Sequence, residues 1–255
     1  MSAADWLTSY VVIPARMAST RLPNKMLLRD TGKSLIQHTY EMASRAVRPA
    51  GVIVATDHRD IVREVERCGG QAVLTSADCP SGTDRVAEVA RHLPDVDLFV
   101  NLQGDEPELD PQAIDQVIEL LEGDRSAVMA TLATPIRDAD QVRDPSCVKV
   151  VFDGGGRALY FSRSPIPFVR DRAELPVDVD PPLFHQHIGL YAYRREFLLQ
   201  LAAIPPSPLE LAERLEQLRV LETGHAIQIG VIEHAARGID TPADYQAFLT
   251  RRRAG

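Results

Sequence analysis

This sequence has no surplus of basic residues, no paired cysteines and no long apolar run, and each absence removes a class of protein. Acidic residues outnumber basic ones, 36 against 28, for a formal net charge of −8. Nothing in that balance neutralises a nucleic-acid backbone or an anionic membrane surface. The three cysteines, Cys68, Cys79 and Cys147, are odd in number and form no CxxC pair. They fit a reduced interior better than a disulfide framework or a zinc site. No apolar stretch approaches the roughly 20 residues of a membrane-spanning helix. Residues 1–9 hold Asp5 but no lysine, arginine or apolar core, unlike a secretory signal. The expectation is a soluble, cytoplasmic protein with no nucleic acid and no membrane insertion among its partners.

What is present is a chain of 255 residues, 45% of them hydrophobic, long enough to bury a full core in one domain. In its first half, short β-branched runs alternate with amphipathic stretches. Residues 10–15 (YVVIPA), 51–56 (GVIVAT), 71–75 (QAVLT) and 97–103 (DLFVNLQ) read as strands. Residues 34–48, 59–68 and 84–92 between them carry apolar positions at helical spacing. Such alternation predicts βαβ units and a mostly parallel sheet. The second half changes rhythm: 148–152, 158–162 and 187–193 read as strands too close together for crossover helices, which points to antiparallel pairing. A proline-rich, charged stretch over 164–182 reads as a long surface loop. Ser207, with Pro208 and Glu210 behind it, predicts the capped start of a helix running to about Glu222. Residues 226–232 read as a further strand, and 241–253 as a final helix. The pattern as a whole predicts one α/β domain over 1–255, a mostly parallel sheet flanked by helices, with an antiparallel insertion or side lobe.

Directly after the first strand stands PARMASTRLPNK, residues 14–25. In open α/β sheets, ligands bind beyond the carboxyl ends of strands. This loop gathers Arg16, Arg21 and Lys25, with the hydroxyls of Ser19 and Thr20 between them, in an otherwise acidic chain. Cations and hydroxyls are what a triphosphate requires. The loop matches neither GxxxxGK[ST] nor GxGxxG, so neither a P-loop nor a dinucleotide fingerprint is present. A second loop, NLQGDEP at 101–107, follows the fourth strand; Gly104 permits a tight turn that presents Asp105 and Glu106. A carboxylate on such a turn suits magnesium, which takes one or two protein carboxylates and keeps several waters. Asp240, in GIDTP just before the last helix, would favour the positive end of that helix's dipole. SGTDR at 81–85 opens a helix, where its hydroxyls and amides could cap or meet an anion.

These strings, together with ALYFSR (158–163), HIGLYAYR (187–194) and SPLE…LEQLRVL (207–221), resemble the 3-deoxy-manno-octulosonate cytidylyltransferases, the CMP-Kdo synthetases. The resemblance runs in the family's motif order from Val11 to about Tyr245. Asn24 stands where that family often has glycine, and asparagine is the residue that next best tolerates a left-handed backbone. The resemblance implies a Rossmann-like nucleotidyltransferase fold of the GT-A-like kind. It implies transfer of CMP from CTP to the anomeric hydroxyl of Kdo, with Mg2+ held by Asp105 and Asp240. It assigns nucleotide contacts to Pro14, Ala15, Arg16, Ser19, Arg21, Lys25, Ser81, Gly82, Thr83 and Gln103. It assigns the acid sugar to Arg163, His187, Tyr191, Glu216 and Gln217. Catalytic roles fall to Lys25, Arg16, Asp105 and Asp240. Residues 10–135 would then be mainly the nucleotide half and 136–255 mainly the sugar and dimerisation half of a homodimer. The alternatives are a cytidylyltransferase for another acid sugar, 8-amino-Kdo or a sialic acid, and a nucleotide-binding module without catalysis.

Overall fold

The computed structural model describes residues 7–170 and 174–254; residues 1–6, on which the reading of the opening segment rests, and residues 171–173 of the expected surface loop lie outside them. Three βα units open the chain. β1 (Ser9–Ala15), β2 (Gly51–Thr56) and β3 (Gln71–Leu74) alternate with α1 (Leu35–Ala43), α2 (Arg59–Arg67) and α3 (Gly82–Arg91). β4 (Leu98–Asn101) follows, then α4 (Pro111–Gly123), β5 (Ala127–Pro135) and the short α5 (Ala139–Arg143). β6 (Lys149–Phe152) and β7 (Ala158–Ser162) form an antiparallel hairpin, and β8 (His185–Arg194) comes after the long loop. The chain ends with α6 (Arg195–Leu201), α7 (Pro208–Glu213), α8 (Gln217–Glu222), β9 (Ala226–Val231) and α9 (Pro242–Ala254).

The main sheet has the order β3-β2-β1-β4-β8-β5-β9, with the β6–β7 hairpin attached off this path through β8. β1, β2, β3 and β4 are mutually parallel, and so are β5 and β9. The expected mostly parallel α/β sheet is the one observed, with a specific antiparallel member. β8 is not confined to a side lobe: it runs antiparallel between β4 and β5, in the middle of the sheet. Alternation along each strand divides the core. Val11 and Ile13 join α1, α2 and α4 on one face, while Val12 joins α3, α6 and α8 on the other.

Three boundaries differ from the sequence expectation, each for a local reason. α1 stops at Ala43 rather than near residue 48, because the chain turns ahead of Pro49 and the amides of Val47 and Arg48 are taken by the Asp115 carboxylate. β4 ends at Asn101, which leaves Leu102 and Gln103 in the turn. The helix expected over 207–222 is two helices. Its predicted capping box between Ser207 and Glu210 is present, but Arg214 adopts a left-handed conformation at φ 55° and breaks the run. Glu213 holds the break in place, accepting from Ser162 Oγ at 2.6 Å and from the Arg163 amide at 2.9 Å.

The packing of α4 over β9 and β5 leaves no room at Gly230. A Cβ there would stand 2.9 Å from both Gln116 Nε2 and Leu132 Cδ2 and 3.0 Å from Leu120 Cδ1. Gly230→Ala should therefore lower the urea unfolding free energy by about 1–3 kcal/mol, the usual cost of overpacking a close-packed interior.

Candidate active site

Loops leaving the carboxyl ends of β1 and β4 meet the segment that enters α9, and a cleft of about 570 Å³ opens between them. Its floor is fixed by close backbone approach. A Cβ on Gly104 would meet Met26 Sδ at 3.1 Å and the Pro14 carbonyl at 3.3 Å, so the turn between β4 and Asp105 lies against the end of β1. Thr39, buried on α1, donates to the Gly104 carbonyl at 2.8 Å and fixes that turn from behind. On the first loop Arg16, Thr20 and Arg21 are exposed, while Leu22 is buried against Leu35, Ile239 and α9. Asn24 sits at φ 53°, the left-handed conformation expected of it, and turns the loop so that Lys25 and Met26 point inward.

Lys25 carries the geometry of the cleft. Its ammonium is buried and lies 2.6 Å from Asp105 Oδ2 and 3.0 Å from Asp240 Oδ1. Arg21 Nη2 reaches the same Asp240 oxygen at 3.0 Å. Asp240 is delivered by a backbone link, the Ile239 amide donating to the Asp105 carbonyl at 2.9 Å. Thr241 and Asp244 then cap the entry to α9: the Thr241 amide donates to Asp244 Oδ2 at 2.8 Å, and the Asp244 amide to Thr241 Oγ1 at 3.2 Å. Two carboxylates from distant segments thus converge on one cation. Their oxygen-only chemistry, with no thiol or imidazole among the described residues that line the cleft, fits magnesium. Glu106 adds to this. Its Oε2 is buried with no hydrogen-bond partner, and burial, followed by the charges of Asp105 and Asp240, pushes its carboxyl up to about 8. An orphaned acceptor at that place suits the water shell that magnesium keeps.

A chain of side-chain hydrogen bonds leads from this cleft toward the second half of the sequence. Gln103 Nε2 donates to Asn101 Oδ1 at 3.3 Å, Asn101 Nδ2 to Thr83 Oγ1 at 3.4 Å, and Thr83 to the Glu216 carboxylate. Ser81 caps α3, accepting from the Asp84 amide at 3.1 Å, and a Cβ on Gly82 would meet Pro14 Cγ at 3.3 Å. The SGT segment is thereby pressed against the end of β1. Burial raises the Glu216 carboxyl, partly offset by bonds from Thr83 and Ser81. Gln217 is buried beside it with an unpartnered Nε2. Tyr191 packs between His187 and Tyr193, and burial, with Glu216 and Glu106 nearby, drives its phenol well up.

The structure therefore gathers Pro14, Arg16, Ser19, Arg21, Lys25, Gln103, Asp105 and Asp240 around one cleft, with Ala15 buried at the end of β1 behind it. Thr83 and Glu216 are linked to it through Asn101 and Gln103, Gly82, next to Ser81, lies against Pro14, and Tyr191 and Gln217 are neighbours of this hydrogen-bond chain. Arg163 stands at the break between α7 and α8. Its guanidinium donates to the backbone carbonyls of Glu213, Pro145 and Arg214 at 2.7, 2.9 and 3.4 Å, which bind the break between α7 and α8 to β7. His187 is buried, with Nε2 3.0 Å from Thr131 Oγ1 and its ring edge-on to Phe161. Asn101 and Tyr193 were not among the residues singled out by sequence. Asn101 ends β4 inside the quoted NLQGDEP string, so its place at a strand terminus was an available signal.

Comparison with known proteins matches residues 10–228 to the sequence pattern of the family described as Cytidylyltransferase. A 3-deoxy-manno-octulosonate cytidylyltransferase of Rhodopirellula baltica is 50% identical over 242 residues, 94% of this chain and 97% of its own length. The enzyme of that name from Trichlorobacter lovleyi is 46% identical over 251 residues, 96% of this chain and 98% of its own length. Among solved structures, a CMP:2-keto-3-deoxy-manno-octonic acid synthetase complexed with CTP superposes with a TM-score of 0.87 at 40% identity. The match covers 97% of this chain and 98% of that one.

Burial holds the His187 imidazole at about 3 rather than 6.5, so the folded chain refuses a proton that the unfolded chain accepts between those values. The stability that depends on a neutral ring is complete above about pH 6.5 and is lost as the pH falls toward 3. His187→Gln keeps a side chain that cannot titrate. The unfolding free-energy difference between the parent and this variant should accordingly shift in the variant's favour from pH 7 to pH 4.5, measured by urea denaturation. A pH-independent difference would contradict the assignment.

Proposed function

The chain belongs to the Cytidylyltransferase family and, within it, to the 3-deoxy-manno-octulosonate cytidylyltransferases, and we propose on that premise that the cleft between β1, β4 and α9 is where it works. The enzyme transfers CMP from CTP to the anomeric hydroxyl of 3-deoxy-D-manno-octulosonate (Kdo), giving CMP-Kdo and pyrophosphate for lipopolysaccharide synthesis. The observation that carries the site assignment is the convergence of Asp105 and Asp240 on the Lys25 ammonium, beside a loop of exposed cations and hydroxyls.

Each group in the cleft has a task that follows from its chemistry. Arg16, Ser19 and Thr20 stand at the outer side beside Arg21, where a triphosphate would take up their free donors. Lys25 and Arg21 can be drawn from the carboxylates to the phosphates, which places positive charge where pyrophosphate leaves. Asp105 and Asp240 would hold magnesium. Bound there, the ion supplies charge neutralisation and a template for the phosphoryl oxygens. Gly82, set against Pro14, would with Ser81, Thr83, Gln103 and Ala15 make a narrow seat that suits a pyrimidine. Glu216, Gln217 and Tyr191 bring unsatisfied or buried polar atoms to the acceptor side, where they suit the hydroxyls and carboxylate of Kdo, with His187 and Arg163 supporting the walls. Homodimerisation and a cytoplasmic location belong to the same proposal. Exposed Leu159, Leu209 and Leu211 offer apolar surface in the second half, and all three cysteines are free. Among the described residues no helix is long and apolar enough to cross a membrane.

Pyrophosphate release is the direct test. It should require CTP and Kdo together, with ATP and GTP at least about 100-fold poorer, because a purine would have to displace packed backbone. Release with a purine triphosphate at the CTP rate would remove the assignment of the base seat. The shared metal pair makes a second prediction. Asp105→Ala and Asp240→Ala should each abolish most turnover, and the double variant should lose little more, since residues acting as one unit are non-additive. Multiplicative losses would separate the two acids into independent roles.

A further inference from the structure

The phosphate loop is held at two places. Lys25 and Arg21 fix its end to the carboxylate pair, as described. Its beginning is held by the Met17 amide, which donates to Asp57 Oδ1 at 3.1 Å. Among the described residues, no backbone amide from Ala18 to Arg21 makes a hydrogen bond within the protein, so Met17 is the near-side anchor. Asp57 follows β2 directly, beside the point where Thr56 is in register with Ala15. Its other oxygen lies 3.4 Å from Arg85 Nη2, and Arg85 Nη1 donates to the Thr75 hydroxyl just after β3. Arg85 stands on the first turn of α3, behind Ser81, Gly82 and Thr83, and only 5% of its side chain is exposed, against 17% for Asp57.

A buried ion pair is a poor source of stability, because desolvation offsets most of the attraction, and an apolar pair of equal volume commonly does as well. What an ion pair supplies here is direction: a carboxylate fixed by one side can present its second oxygen to a single amide. We propose that Asp57 and Arg85 are positioning residues for the nucleotide. Asp57 sets the course of residues 16–20 through the Met17 amide, and Arg85 sets Asp57 while standing on the helix that seats the base. The triphosphate loop and the base seat are thereby tied by one buried link and keep a constant spacing. This inference rests on the assignment of the loop to CTP made above.

The test compares the parent with Asp57→Ala, Arg85→Met and the double variant, with Asp57→Asn retaining one acceptor for Met17. Three quantities are read: the KM values for CTP and Kdo, the urea midpoint, and the rate of tryptic cleavage after Arg16 and Arg21, located by mass spectrometry. Asp57→Ala should raise the KM for CTP about tenfold, the scale of one lost hydrogen bond in a preorganised site, and leave the KM for Kdo within about twofold. Cleavage after Arg16 should accelerate in Asp57→Ala and in Arg85→Met, and Asp57→Asn should recover part of the protection. The double variant should match Asp57→Ala, because Arg85 acts through Asp57. Additive losses would overturn that route and mean that Arg85 meets the nucleotide itself. Equal rises in both KM values with only a lowered urea midpoint would reduce the pair to a structural role. An unchanged KM for CTP with unchanged cleavage would overturn the proposal outright. If Asp57→Ala does not fold, Arg85→Met and Asp57→Asn decide the same question. The cleavage arm needs no substrate, so it separates failure of the anchor from failure of the CTP assignment: no pyrophosphate release from the parent would sink the latter alone.

Discussion

The ammonium of Lys25, set between the carboxylates of Asp105 and Asp240, is the contact on which the arrangement of the site depends. The three residues leave β1, leave β4 and enter α9, so they meet only when the central strands are paired and the last helix has docked. Placing two like charges in one cleft is unfavourable unless a cation stands between them. Lys25 supplies that cation from within the chain, and Arg21 adds a second from the exposed side. The backbone bond from Ile239 to Asp105 ties the two acid-bearing segments together independently of the cations between them.

Around this point the protein keeps several polar groups in costly surroundings. Glu106 has a buried oxygen without a partner, Gln217 a buried amide nitrogen without one, and His187 a ring held neutral by burial. A folded domain leaves few atoms unpaired as those of Glu106 and Gln217 are, since each forfeits the hydrogen bonds that water would give it. All three lie among or next to the residues to which the proposed function assigns the metal and the acceptor sugar. Among the other described residues, buried side-chain polar atoms have partners. Lys149 is fully buried, yet its ammonium meets the carbonyls of Asp144, Cys147 and Arg163 at 2.6–2.9 Å.

Much of this was legible in the sequence because it is local. Short β-branched runs and helical periodicity marked β1, β2, β3 and the helices between them, and Ser207 with Glu210 marked a capped helix start. The cations of residues 16–25, the GDE turn and Asp240 were readable as charged groups at strand or helix ends. Their meaning as one set came from motif order and not from spacing alone. The sequence patterns read above do not cover residues 111–135, which form α4 and β5. Both faces of β5 are buried, so it shows no alternation to read.

What the sequence determined by itself is therefore the inventory: which segments can be strands or helices, which loops carry cations and which carry acids, and which family's chemistry they serve. Tertiary structure alone decided the rest. It placed β8 antiparallel in the centre of the sheet, broke 207–222 at Arg214, turned the Arg163 guanidinium onto backbone carbonyls, and set Lys25 between its two acids. The physical reason is range. Propensity and capping act over a few residues, whereas these outcomes depend on contacts between segments up to 215 positions apart. Such contacts form only after the loops between them have been closed, and no short window of sequence contains both partners.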